Sequence, residues 1–196
     1  MKSRRAGKIP LKEVVPWVRG RVRPARFRHI QGVVRTAKRL ASRHGLSLEK
    51  AEMAAWFHDC AKEETRSGMR ALLRGTPFRM DAWERRIPAL WHPHAGAAAA
   101  WKVWGLRDRE TLDAIRCHTL GRRRMGPLAQ ALFVADYIEP GRDFPGVREA
   151  RRRAGRSLRE GVLAKCGGTL RHLISHGLAV HPRLLETWND TLQTRP

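Results

Sequence analysis

Cysteine is scarce in this chain of 196 residues. Cys60, Cys117 and Cys166 are the only three, with no disulfide framework and no CxxC zinc spacing among them. That usage fits a reducing, cytoplasmic setting. Long apolar runs are missing as well: without a stretch of about 18 such residues, no membrane span is expected. The opening MKSRRAGKIP lacks the apolar core of a secretory signal. No Pro/Gly/Ser-rich linker or internal repeat divides the chain, and the only low-complexity patch is AGAAAA at 95–100. One domain is expected, with enough apolar content (42%) for a core. No Val/Ile/Thr-rich alternation marks a strand, so the fold class is all-α. Acids also run short, 18 against 40 Lys+Arg, for a net charge of +22. Residues 1–43 hold fourteen Lys/Arg and one acid, Glu13. Such a field attracts polyanions, whether nucleic acid, nucleotides or an acidic membrane surface. A generally Arg-rich surface with no specific ligand fits it equally well.

What is present is helical periodicity. Ile30, Val33, Val34, Ala37, Leu40 and Ala41 form one stripe between Arg28 and His44, and Gly45 ends it. Ser47 caps a second helix carrying Leu48, Ala51, Ala55 and His58. Shorter helical pieces follow at 65–74 and 78–90. A helix is expected from His92 to Trp104, with Pro93 in its first turn and Gly105 as its stop. Asp108 caps one running to His118, and Pro127 starts another with Leu128, Leu132 and Ala135 inward. Two more are expected at 147–165 and 169–177, and Pro182 opens a last one to Leu192.

Polar groups intrude on these apolar faces. His29 shares the face of Val33, Thr36 and Leu40. His58 and Asp59 close the second helix. His92 opens a helix, His118 follows Ile115, and Asp136 lies on the stripe of Leu128 and Leu132. Singly, each fits a duller role: a hydrogen-bonded core histidine, a helix cap, or a carboxylate paired with an arginine. Together, four imidazoles and two carboxylates on separate helices suit one or two divalent transition metals. Consecutive helical residues point about 100° apart, so His58 and Asp59 reach one centre only from a helix end. A carboxylate can span two ions and an imidazole cannot, which makes Asp59 the natural bridge and His58 a terminal ligand.

The order H…HD…H…H…D resembles the HD-domain metal-dependent phosphohydrolases. RFRHIQGV (26–33), HDCAKE (58–63), WHPHAGA (91–97), AIRCHTLGRRRMGPL (114–128) and ADYIEPGRDFPGV (135–147) resemble the bacterial YqeK family more closely. That resemblance implies a single helical HD domain over 26–196, preceded by a basic extension at 1–25. It implies a di-iron centre, with manganese, cobalt and nickel also acceptable to these ligands. His29, His58, Asp59 and Asp136 would hold one ion. Asp59, His92 and His118 would hold the other. The family reaction cuts diadenosine tetraphosphate symmetrically into two ADP. Asp59 and Lys62 are then the expected catalytic residues, and Lys62, Thr119 and Arg142 the expected contacts to the phosphates. Leu120 stands where the family has a threonine, and His94 stands where it has a small or apolar residue and could compete with His92. Two other readings keep a place: a nucleotide hydrolase with a different substrate, and a basic RNA- or ribosome-binding protein whose metal centre is structural.

Overall fold

Helix starts are written locally. Ser47, Thr65, Asp81, Asp108 and Ser157 each accept the backbone N–H three residues ahead, which satisfies a donor that the first turn leaves free. Pro24, Pro93 and Pro127 fill first-turn positions where no N–H is needed. The computed structural model describes residues 9–193. In order, the helices are α1 (Leu11–Arg19), α2 (Pro24–Arg43), α3 (Leu48–Phe57), α4 (Arg66–Leu73), α5 (Ala82–Arg86), α6 (His92–Trp104), α7 (Arg109–Cys117), α8 (Pro127–Ile138), α9 (Val147–Arg156), α10 (Leu158–Ser175) and α11 (Pro182–Gln193), with a 3-10 turn at Pro88–Leu90 before α6. No strand occurs among the described residues, and no helix among them is long and apolar enough to cross a membrane.

Helix α8 runs through the centre. It buries Leu128, Ala131, Leu132, Phe133, Val134, Ala135 and Ile138. Around it pack α2, α7, α10, α3 and α9, while α6 lies against α7 and α3. The carboxylate of Asp136 therefore leaves the last turn of the core helix, and the ends of α3 and α7 converge beside it.

Two expectations about boundaries change. Residues 1–8 lie outside the described residues, but Leu11–Arg19 form α1, with Val14 and Val18 fully buried against the core. Packing thus begins before residue 26. The break expected near residues 166–168 falls instead at Ser157, whose extended backbone separates α9 from α10. Gly167 and Gly168 stay helical inside α10. A Cβ on Gly167 would meet the Trp188 ring at 3.0 Å, and one on Gly168 would meet the Tyr137 hydroxyl at 1.9 Å. These glycines give room to neighbours; they do not stop the helix.

Gly96 sets how closely α6 approaches α3. A Cβ there would meet the Phe57 carbonyl oxygen at 2.6 Å and that of His58 at 3.3 Å. Backbone cannot swing aside as a side chain can. Gly96→Ala should cost about 1–3 kcal/mol of stability, at roughly 2–4 °C of Tm per kcal/mol for a domain of this size. Thermal unfolding followed by circular dichroism measures it. An unchanged Tm would mean that the α3–α6 approach is not tight.

Candidate metal centre

One device places three histidines. His58 ends α3, His118 ends α7, and His92 opens α6. In each, Nδ1 meets the carbonyl oxygen three residues back: Ala55 at 2.7 Å, Ile115 at 2.7 Å and Ala89 at 2.8 Å. A carbonyl only accepts, so Nδ1 donates and a neutral ring keeps a bare lone pair on Nε2. All three rings are buried. Burial depresses the His58 pKa to about 4, despite the opposing pull of Asp59. Burial also holds His92 well below its ordinary value. Both are therefore neutral at pH 7. His29 arrives from α2, with its Nδ1 at 3.2 Å from Oε1 of the buried Glu139. Gly32 makes space for that glutamate, since a Cβ there would meet Glu139 Oε2 at 2.3 Å.

The two oxygens of Asp59 face different ways. Oδ1 lies 3.3 Å from His92 Nε2 and 3.6 Å from His118 Nε2. Oδ2 lies 3.7 Å from both His29 Nε2 and His58 Nε2, and accepts from Arg26 Nη1 at 2.9 Å. Burial opposes the charge on Asp59, yet His58, His118 and His92 hold its pKa well below the usual range. Asp136 Oδ1 lies 3.2 Å from His29 Nε2, and its Oδ2 accepts from Lys165 Nζ at 3.0 Å. Its pKa is also well below the ordinary value: burial works against the charge, and Lys165 and His29 outweigh it.

This arrangement calls for cations. Nε2 of His58 and Nε2 of His29 are buried without a hydrogen-bond partner. Nε2 of His92 and Nε2 of His118 stand 3.1 Å apart, while Nδ1 of each is already tied to a carbonyl. Ligand atoms fall into two sets, His29/His58/Asp136 and Asp59/His92/His118, each within 4.8 Å of one another. Unpartnered imidazole nitrogens beside carboxylates fit divalent transition metals, and the carbonyl-anchored Nδ1 is the usual support for a ligating ring.

The other expected residues lie at or near this centre, with one exception. Lys62 Nζ is 3.2 Å from both ring nitrogens of His92. Thr119 Oγ1 is 3.1 Å from His118 Nε2 and 3.3 Å from His92 Nε2. Arg142 folds back from beyond α8 and donates from Nη2 to Asp136 Oδ1 at 3.0 Å. Leu120 supplies no hydroxyl; its carbonyl accepts from Thr187 at 2.9 Å. The exception is His94. It points to a separate buried ion pair, its Nε2 2.8 Å from Glu84 Oε1, which Arg183 Nη1 also reaches at 2.7 Å, so it does not compete with His92. Cys60 and Cys117 are buried thiols pushed up to about 12 by burial, and neither belongs to a ligand set. The sequence reading missed Arg26, Glu139 and Lys165. Arg26 and Glu139 sit inside the motifs RFRHIQGV and ADYIEPGRDFPGV, where a charged residue beside each ligand was the available signal. Lys165 carried none.

Comparison with known proteins agrees with this geometry. The HD domain family matches residues 26–141. A symmetrical bis(5'-nucleosyl)-tetraphosphatase from Bacillus subtilis (strain 168) is 36% identical over 177 residues, 90% of this chain and 95% of the relative. One from Halalkalibacterium halodurans is 37% identical over 167 residues, 85% of this chain and 89% of the relative. A crystal structure from Clostridium acetobutylicum, described as that of a predicted HD superfamily hydrolase involved in NAD metabolism, superposes with a TM-score of 0.89 at 32% identity, covering 95% of this chain and 98% of that one. The chain belongs to the HD-domain family, whose fold binds divalent metal.

Proposed function

We propose that this protein hydrolyses dinucleoside tetraphosphates, diadenosine tetraphosphate above all, symmetrically into two nucleoside diphosphates. In this reading two divalent ions, iron in the first instance, occupy the paired ligand sets. The observation that carries it is the division of Asp59, one oxygen toward His92 and His118, the other toward His29 and His58. The activity named for the relatives from Bacillus subtilis and Halalkalibacterium halodurans supplies the substrate class.

Divalent ions held there would acidify a water and screen phosphate charge. The remaining work falls to the chain. His58, His92 and His118 each tie Nδ1 to a carbonyl and so aim Nε2 at the centre, and burial depresses the charged form of His58 and His92. Beside His29 lies a cavity of about 630 Å³, also lined by Arg23, Arg26, Arg28 and Arg142. A tetraphosphate is strongly anionic, and guanidinium groups grip phosphate oxygens in pairs. Arg142 is half-exposed and so can turn from Asp136 toward substrate. Lys62 and Thr119 stand over the His92/His118 side, where a hydroxyl and an ammonium can hold the phosphate on which charge builds. The leaving nucleoside diphosphate is stable as an anion, so no strong general acid is required.

Incubation with diadenosine tetraphosphate and chromatography of the products tests this. ADP should be the sole nucleotide product. AMP with ATP in equal amounts, or preferential turnover of a mononucleotide or guanosine polyphosphate in a parallel panel, would replace this substrate assignment.

A further inference from the structure

A second cationic cavity, about 620 Å³, lies between α2 and α9. Arg39 and Arg43 line it from α2, Arg151 and Arg152 from α9, and no carboxylate or aromatic ring does. Arg39 and Arg43 are exposed, and among the described residues neither has an acidic partner. Acid partners are not missing from this protein in general. Lys38 on the same helix pairs with Glu52 at 2.7 Å, and Arg122 pairs with Asp113 at 2.7 Å. Arg152 shares its charge with Glu149. Arg151 is fixed by backbone alone: it donates to the carbonyls of Ile138 at 3.0 Å and of Glu139 and Arg142 at 2.9 Å each. Its charge is held at the cavity wall without a counter-ion.

The charge continues along α2. At about 100° per residue, Arg28, Arg35, Arg39 and Arg43 fall within one arc of roughly 80°, and the row is roughly 22 Å long at 1.5 Å per residue. Like charges one turn apart destabilise a helix by a few tenths of a kcal/mol per pair. A bound polyanion relieves that repulsion, and among the described residues no acid pairs with these four arginines.

We propose that this groove binds the phosphate backbone of nucleic acid without reading its bases. The absence of an aromatic ring leaves no platform for base stacking. The length of the row sets the other limit. A duplex strand offers a phosphate about every 3.4 Å along the axis, so about six fall beside the row, more than the phosphates of any single nucleotide.

The test is fluorescence anisotropy of a labelled DNA duplex of about 20 base pairs, titrated with the full chain from about 50 to 200 mM salt, a range over which phosphate-driven binding weakens by orders of magnitude. Arg39→Ala/Arg43→Ala/Arg152→Ala should weaken binding at least tenfold at the lowest salt. It should also reduce the slope of log affinity against log salt by about 2–3, near 0.9 for each phosphate no longer neutralised. Tm and hydrolysis should match the unsubstituted chain. The variant His58→Ala/Asp59→Ala should bind the duplex normally. Wild-type binding by the triple variant overturns the proposal. So does loss of binding on removing residues 1–8, which carry Lys2, Arg4, Arg5 and Lys8, if the triple variant keeps it. Loss in the His58/Asp59 variant would place binding at the metal centre instead. Tripolyphosphate that competes as well per phosphate as the duplex would make the groove a small-anion site and refute the nucleic-acid assignment.

Discussion

Asp59→Asn should remove hydrolysis by roughly a thousandfold or more, beyond the 10–100-fold typical of a residue that only supports a ligand. The reason is position. Every other ligand candidate serves one set, whereas Asp59 presents Oδ1 to His92 and His118 and Oδ2 to His29 and His58. An amide keeps the shape but loses the charge and turns one end into a donor, which a divalent cation disfavours. Metal content measured by plasma emission should fall to less than half of the parent's. Stability should move the other way. Without metal, Asp59 is a buried carboxylate that accepts from Arg26 at 2.9 Å, and Arg26 remains 29% exposed. Removing that charge spares the desolvation cost and leaves the guanidinium partly in water. Metal-free Asp59→Asn should therefore unfold at or above the temperature of the metal-free parent. A variant that keeps two ions and activity within tenfold would sink the shared-carboxylate reading.

The contrast between Asp59 and its neighbours shows what local sequence could carry. The six ligand candidates were legible because polar groups intruded on apolar patterns: His29 among Val33 and Leu40 and Asp136 among Leu128 and Leu132 within helices, His58, Asp59, His92 and His118 at or just past helix ends. The structure brings all six together. Helix starts were legible for a related reason, since Ser47 and Asp108 satisfy donors three residues away. The rest depended on residues far along the chain. Gly167–Gly168 reads locally as a break, but Trp188 and Tyr137 occupy the space a Cβ would need, so the pair continues the helix. His94 was separable in principle. It lies two residues from His92, about 200° around the helix, and so faces away from any centre that His92 serves. Its actual partners, Glu84 and Arg183, come from α5 and α11. Helix α1 was hidden because its basic residues dominated the reading of 1–25, while two valines one turn apart, Val14 and Val18, carried its burial.

Lys165 is the clearest case of a residue that only the fold reveals, and its removal should have the second-largest effect. In VLAKCGG it reads as an ordinary solvated lysine on α10. In the structure it is 5% exposed, and its three protons are spent on the His118 carbonyl at 2.7 Å, the Phe133 carbonyl at 2.8 Å and Asp136 Oδ2 at 3.0 Å. Burial lowers its pKa, and the Asp136 charge works in the opposite direction to keep it protonated. One ammonium thus joins the end of α7, where His118 is set, to the carboxylate on α8 that faces His29. It also occupies Oδ2, which leaves Oδ1 as the oxygen turned toward His29. Lys165→Met keeps much of the volume and strands one carboxylate and two carbonyls. Breaking a buried pair from one side costs about 3–5 kcal/mol, a fall on the order of 10 °C in Tm for a domain of this size. That fall should be larger without metal than with it, because a bound cation offsets part of the charge that Lys165 leaves behind on Asp136. Metal titration by calorimetry should show one ion weakened by about 10–100-fold, with the other little changed, since Asp59, His92 and the His118 ring stay in place. Lys165→Arg should not restore the parent, because a planar fork cannot direct three donors to these acceptors as a compact ammonium does. Equal loss of Tm with and without metal, and unaltered affinity for both ions, would reduce Lys165 to a packing residue and remove it from the metal centre.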